Sequence, residues 1–401
     1  VVDVCKQSEA RRGACAAYLP LEHPDISEFL DIGTEGNPIQ NLQYGITVSD
    51  AWLRSMKAGS KEKRKIWAKV IQRRSEFGYP YIMFKDNSNK NTPYKDIGMD
   101  ITASNLCSEI QLPTDTYNSF VCCLGSINLL HWDEIIKTDA IETYVFFLNA
   151  VMDEFIKKAE VKAGLKRAYN FASKHRAIGL GVLGYHSLFQ SKLIEFESLA
   201  AKQLNNHIFK HLKQVSDEAS RWLHEHRGYR SLREGYANTT LMAIAPTKSS
   251  SFIHGAVSMG IEPIKSNYFI KDLAKSKTVY KNPFLVEELE KYGLNNKKTW
   301  DSILKKDGSV QHLNFPTKEV FKSFIEISPK ELVLQAAQRQ KYIDQSQSLN
   351  LMIDPSVSAK DINKLYLYAH EEGVKTLYYQ FSISSAQDFA RNILECASCE
   401  G

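Results

Sequence analysis

The chain has 401 residues, 43% of them apolar and 24% charged, an ordinary globular composition with room for roughly two to three domains or one large barrel. Its net charge of +5 is mild for this length, and basic and aromatic residues do not alternate along any strand, so nucleic-acid binding is not expected. No apolar run approaches the roughly 20 residues of a membrane helix, and Val1-Val2-Asp3-Val4-Cys5 carries no basic-then-apolar leader, so neither membrane insertion nor export is expected.

The first residue is Val rather than Met, which suggests a start inside a longer reading frame. Seven cysteines occur, at positions 5, 15, 107, 122, 123, 396 and 399. An odd number in a long chain argues against a secreted disulfide framework and for reduced thiols in the cytoplasm. The ordinary expectation for each is an inert core residue.

Short runs rich in β-branched and aromatic residues, at 78–84, 120–124, 177–182, 239–245 and 374–379, read as buried strands. Between them Leu204, Ile208, Leu212, Val215, Ala219 and Trp222 repeat at steps of three and four, one stripe of a long helix that Gly228 would stop. The segment 263–314 is polar and weakly periodic, an elaborated connection. Ser358 with Asp361 resembles a capping box, Ile362, Leu365, Tyr366 and Ala369 supply the stripe behind it, and Gly373 sits at the expected end. Strand, helix and strand in this rhythm imply an α/β fold with largely parallel strands over 1–380. From 381 to 401 the pattern fades, as in a mobile tail.

Five motifs carry candidate chemistry. In Asn105-Leu106-Cys107-Ser108-Glu109, alternation would put amide, thiol and carboxylate on one side of an extended segment. A carboxylate raises a neighbouring thiol's pKa, so Cys107 is a poor nucleophile. Hydrogen-atom chemistry needs no thiolate, and Glu109 could then act as general base. Cys122 and Cys123, adjacent on a strand, would face opposite ways, so at most one reaches a site. Pro246-Thr247-Lys248-Ser249-Ser250 joins a strand to a helix start, where free N–H groups suit an anion, although plain N-capping is commoner. Tyr378 and Tyr379 read either as one core and one surface residue or as redox-active phenols. Cys396-x-x-Cys399 cannot hold zinc without further ligands and is better suited to thiol–disulfide exchange.

In this order, the motifs resemble the large (alpha) subunit of class I (Ia-type) ribonucleotide reductase. Further matches are Arg11-Arg12-Gly13-Ala14-Cys15-Ala16-Ala17-Tyr18-Leu19, Gly260-Ile261-Glu262-Pro263, Asp344-Gln345-Ser346-Gln347-Ser348-Leu349-Asn350 and Thr376-Leu377-Tyr378-Tyr379-Gln380. The resemblance implies the C-terminal portion of a ten-stranded α/β barrel with a central finger loop, and reduction of ribonucleoside diphosphates at the 2′ carbon. It implies that Cys107 takes the 3′ hydrogen as a thiyl radical, Glu109 acts on the 3′ hydroxyl, Asn105 orients the substrate and Cys122 is one of two reducing thiols. Residues 246–250 would hold the substrate phosphates. Tyr378 and Tyr379 would relay the radical from a metal-containing small (beta) subunit, with no cofactor or metal bound in this chain. Cys396 and Cys399 would re-reduce the site and be reduced in turn by thioredoxin or glutaredoxin. Cys123 stands where the family usually has Asn or Thr and receives no role. Cys5 and Cys15 match no functional position and are expected in the core.

The family's second reducing cysteine lies on an early barrel strand that finds no match here. A companion carrying an N-terminal half is therefore expected, separate or continuous with this chain. Two other readings compete. One is a fragment or scaffold that keeps the fold without turnover, and the other is a non-radical thiol oxidoreductase working through Cys396 and Cys399.

Overall fold

The computed structural model describes residues 13–273 and 276–382. Ten strands are present among them: β1 (Ala16–Pro20), β2 (Gln43–Val48), β3 (Tyr81–Phe84), β4 (Leu124–Asn128), β5 (Gly179–Leu183), β6 (Tyr268–Leu273), β7 (Ser276–Lys281), β8 (Leu351–Met352), β9 (Thr376–Leu377) and β10 (Gln380–Phe381).

β1, β2 and β3 are parallel neighbours. β3 then meets β9 antiparallel, with Ile82 opposite Leu377. β9 runs on into β10, which lies parallel to β8. Single parallel bridges continue the order, from Gln347 to Ile244 and from Met242 to Leu180 of β5, and β5 pairs parallel with β4. The result is an open barrel wall of three parallel strands set against five. Its two free edges among the described residues are β1 and β4.

Local sequence explains much of the frame. The helix Leu199–Arg227 is capped by the Ser198 side chain at its start and by Gly228, at φ 69°, at its end. Its buried stripe includes Ile208, Leu212 and Ala219, while Trp222 turns partly to solvent. The helix Ala359–Glu371 begins at Ser358, whose hydroxyl accepts from the Asp361 N–H. The helix Lys61–Phe77 buries Arg74 completely. That guanidinium donates to the carbonyls of Pro80 and Tyr378, at 2.5 and 2.9 Å, and to the Tyr366 hydroxyl at 2.8 Å. It thereby ties the helix to both strands of the antiparallel junction.

Residues 98–119 cross the barrel interior as the finger loop, without regular helix or strand. Its base is held by an apolar cluster of Tyr94, Ile110, Leu112, Phe171, Ala177 and Ala243. The polar segment 263–314 is no bare connection. It holds β6, β7 and the helices Pro283–Lys291 and Lys297–Leu304, and with the residues just after it buries a cluster of its own, including Leu285, Leu289, Trp300, Ile303 and Phe321.

Several local expectations need correction. Residues 120–123 are irregular, and the strand starts only at Leu124. The run 239–245 joins the wall through isolated bridges rather than a continuous ladder. β1 and β2, short and flanked by polar loops, add strands that periodicity does not mark. Cys15 is exposed rather than in the core, because it leads into the free edge β1. Cys5, Cys396 and Cys399 lie outside the described residues.

Candidate active site

The finger tip is a turn and not an extended run. The Ser108 N–H donates to the Asn105 carbonyl at 3.2 Å, and Ser108 sits at φ 67°, a region that L residues seldom adopt. Strict alternation therefore does not bring the Asn105 and Glu109 side chains together; the turn does. Asn105 Oδ1 accepts from the Ile110 N–H at 3.1 Å, and the Asn105 side chain also bonds the Glu109 carboxylate.

The tip is clamped from the facing strands. The Ser348 hydroxyl donates to the Cys107 carbonyl at 2.6 Å and lies 3.2 Å from Glu109 Oε2. Thr376 Oγ1 donates to the Ser108 carbonyl at 3.0 Å. The Ser346 N–H donates to the Glu109 carbonyl at 2.8 Å. The polar run 344–350 is thus the wall segment that grips the finger. Its alternating Gln and Ser side chains are the sequence signal for that grip, since polar groups on a buried strand need internal partners.

A second clamp has no signal in residue type alone. Tyr18 on β1 donates to the Asn105 carbonyl at 3.3 Å and meets Ser108 Oγ at 3.4 Å. Its ring lies over Gly45 of β2, where a Cβ would come within 2.4 Å of the ring, so only glycine fits beneath it. Tyr18 lies in the Arg11–Leu19 stretch that resembles the family, but its residue type alone does not distinguish it from a packing aromatic.

Electrostatics follows from this packing. Glu109 is 2% exposed, and burial pushes its carboxyl up to about 7 despite hydrogen bonds from Asn105 and Ser348. Cys107 is half-buried. Cys122 is open at the free edge, just before β4, yet the protein around its thiol raises its pKa to about 12, with Glu109 adding to the rise. Both effects keep the Cys122 thiol protonated at neutral pH. Cys123 faces the other way, buried, with Sγ 3.5 Å from the Leu148 carbonyl. Glu109 acts on the Cys122 thiol and not on Cys123, although the segment that carries them is irregular and not a strand.

The loop 246–250 leads into the short helix Lys248–Ile253. Thr247 Oγ1 accepts from the Gly260 N–H at 2.8 Å and pairs with Ser251 Oγ, which fixes the turn. Lys248, Ser249 and Ser250 are exposed at the helix start, where first-turn N–H groups lack intrahelical acceptors. A small cleft runs from Pro246, Lys248 and Gly260 to Ser348, Asn350 and Tyr378. The loop and the finger clamp therefore share one cleft. A larger cavity of about 910 Å³ lies elsewhere, between the helices Lys61–Phe77 and Ala359–Glu371, and is lined by none of the five motifs' residues.

Tyr378 and Tyr379 are both buried, not one in and one out. Their ring centroids lie 4.4 Å apart. The Tyr379 N–H donates to Asn350 Oδ1 at 3.1 Å, and Asn350 Nδ2 donates to Glu262 Oε2 at 2.5 Å. This links the 344–350, 260–263 and 376–380 motifs into one network.

A family model described as the barrel domain of ribonucleotide reductase matches residues 1–64, 55–232 and 229–380. The putative ribonucleoside-diphosphate reductase large subunit of Frog virus 3 (isolate Goorha) is 32% identical over 430 residues, covering 98% of this chain and 76% of that protein. The ribonucleoside-diphosphate reductase large subunit of Invertebrate iridescent virus 3 is 34% identical over 458 residues, covering 93% and 72%. Among solved structures, the Actinobacillus ureae class Id ribonucleotide reductase alpha subunit matches with a TM-score of 0.88 and 51% identity, covering 95% of this chain and 72% of that one.

Proposed function

This chain belongs to the ribonucleotide reductase large-subunit family, and from that membership and the finger geometry we infer that its barrel reduces ribonucleoside diphosphates to deoxyribonucleoside diphosphates by thiyl-radical chemistry. One observation carries the residue assignment. Cys107 and the buried, near-neutral Glu109 sit on one rigid turn, held by Ser348 inside the barrel.

In this reading Cys107, as a thiyl radical, takes the hydrogen atom from the 3′ carbon: a C–H bond breaks and an S–H bond forms. Glu109 takes the 3′-hydroxyl proton, and Asn105 orients the sugar. The 2′ hydroxyl leaves as water after taking a proton from Cys122. The hydrogen of a second thiol goes to the 2′ carbon in place of the lost hydroxyl, Glu109 gives its proton back to the 3′ oxygen, and Cys122 and that thiol, having given up two electrons, end as a disulfide. Cys107 then returns its hydrogen to the 3′ carbon and is again the radical. The diphosphate lies on residues 246–250, with Lys248 and the first N–H groups of the helix Lys248–Ile253 as its positive field.

The family membership implies a small-subunit partner. That partner would supply the radical from a metal centre of its own, and Tyr378 and Tyr379 are placed to carry it to Cys107. Cys396 and Cys399 would restore the spent thiols and be reduced by thioredoxin or glutaredoxin, which fits the reducing cytoplasm. The free edges β1 and β4 and the unpaired Cys122 nearby support a complementing polypeptide, joined or separate, that pairs with both edges and brings the second thiol. Open strand edges otherwise invite non-specific pairing.

The test is reconstitution. The chain, a class I small subunit, a dithiol reductant and a polypeptide supplying the missing strands are combined, and deoxynucleoside diphosphate formation is measured. Product is expected only when all are present. Turnover by the chain and small subunit alone would remove the complementing polypeptide from the scheme. No product from any ribonucleoside diphosphate in the full mixture would defeat the reductase reading.

Glu109 also predicts a pH profile. As a base it must be ionised, and its pKa is raised to about 7, so the ionised fraction is lost as pH falls through that value. The turnover rate is therefore expected to fall about tenfold per unit below pH ~7. Glu109→Gln should lower the rate by about 10²- to 10⁴-fold and flatten that limb. An unchanged acid limb in Glu109→Gln would assign the base elsewhere.

A further inference from the structure

A third tyrosine belongs to the Tyr378–Tyr379 pair. Tyr81 on β3 is 0% exposed. Its ring centroid lies 4.8 Å from that of Tyr378, tilted by 49°, and 5.1 Å from that of Tyr379, nearly perpendicular at 88°. With the pair itself at 4.4 Å, the three rings form a closed triangle at the antiparallel junction of β3 and β9, where the two halves of the wall meet.

The hydroxyl is what needs explaining. A phenol buried without a regular hydrogen bond is destabilising compared with phenylalanine, and the Tyr81 hydroxyl makes none within ordinary geometry. It lies instead beside the Tyr379 phenol, which acts on it as a hydrogen-bonding neighbour, with the Cys107 thiol also close enough to be felt. Phenylalanine would pack the triangle equally well, so packing does not account for the oxygen.

We propose that Tyr81 is a positioning residue of the radical relay: its ring braces Tyr378 and Tyr379, and its hydroxyl sets the direction of the Tyr379 phenolic proton. The inference rests on the relay reading above. In the step it serves, the Tyr379 phenoxyl takes an electron and a proton from Tyr378, so that one O–H bond breaks as the other forms. Tyr81 is neither oxidised nor reduced. It holds the Tyr379 oxygen so that its lone pair faces Tyr378 as the proton crosses.

The experiment uses the complete holoenzyme. Tyr81→Phe keeps the ring and removes the oxygen. Its turnover is expected to fall about tenfold, the kinetic equivalent of one hydrogen bond, with KM for the ribonucleoside diphosphate unchanged. With 3-aminotyrosine placed at position 379 to trap the radical, the electron paramagnetic resonance hyperfine pattern should differ between the labelled enzyme with Tyr81 intact and the same enzyme carrying Tyr81→Phe. A structural role alone would alter the melting temperature but not this pattern. Wild-type turnover with an unchanged spectrum overturns the proposal. If Tyr81→Phe does not assemble, 2,3-difluorotyrosine at position 81 preserves the shape with a more acidic hydroxyl. A shifted pH profile of kcat then supports the role, and an unshifted one overturns it. Tyr379→Phe is the control: turnover there would mean that the relay reading itself fails, whereas a silent Tyr379→Phe beside a fully active Tyr81→Phe defeats only the role of Tyr81.

Discussion

Cys107→Ser is expected to abolish nucleotide reduction in the complete enzyme, a loss of about 10⁴-fold or more, because residues that act as one catalytic unit are not partly replaceable. The substitution is nearly isosteric at a half-buried position. The clamp from Ser348 goes to the main-chain carbonyl of residue 107 and not to its side chain, so the turn should survive. What is lost is the bond strength. An S–H bond is weak enough to exchange a hydrogen atom with a sugar carbon in both directions, whereas the O–H bond of serine is too strong to be oxidised by a tyrosyl radical. Substrate affinity should stay near wild type, because the loop 246–250 proposed to hold the diphosphate is untouched. Product analysis together with a binding titration checks both halves. Residual turnover above about one part in 10³ would favour the competing non-radical thiol reading, in which Cys396 and Cys399 do the work without Cys107.

The second large effect is expected at the relay. Tyr379→Phe, and separately Tyr378→Phe, should each reduce turnover to background while leaving the fold intact. Both phenols are buried in the ring triangle with Tyr81, where phenylalanine fits the same space. A phenyl ring lacks the O–H bond whose electron and proton are exchanged. Raising one transfer barrier by even about 6 kcal/mol costs about four orders of magnitude in rate. The radical of the small subunit should persist on mixing with substrate, which electron paramagnetic resonance can follow directly. Loss of that radical at the wild-type rate in either variant would show that the path runs through other residues.

Much of the fold is legible in the sequence because two periodicities are strong. The stripe on the helix Leu199–Arg227 and the cap pair Ser358 and Gly373 mark those helices and their ends. The strands at 81–84 and 179–183 are legible as buried apolar runs. β1 is not, because edge strands are short and half-exposed and carry no clean apolar run. The folded insertion within 263–314 is hidden because its apolar residues are spread over a hairpin and two short helices, too few in each for a period to show.

At the site, sequence names the candidate groups but misleads about how they meet. Asn105 and Glu109 are gathered by a turn with Ser108 at positive φ, a feature invisible without knowing that Ser348 and Thr376 pull on its carbonyls. The buried state of both Tyr378 and Tyr379 likewise reverses the usual in-and-out alternation. It arises because their segment lies at the junction of the two wall halves, covered on both faces.

By itself the sequence determined which chemical groups this protein owns and in what order: a thiol next to a carboxylate, adjacent cysteines, a small-residue loop at a helix start, and paired phenols. Side-chain chemistry and chain order are local properties, and a resemblance built on them is specific. Only the tertiary structure decided the state of those groups. Burial pushes the Glu109 carboxyl up to about 7, against the opposing pull of the hydrogen bond from Ser348, far along the chain. Cys122 is exposed while Cys123 is buried against Leu148, although the two are adjacent in an irregular stretch. Tyr18 and Tyr81 enter the site only because β1 and β3 carry them there. Desolvation and hydrogen-bond partnership depend on everything within a few ångströms in space, and that neighbourhood is assembled by the fold.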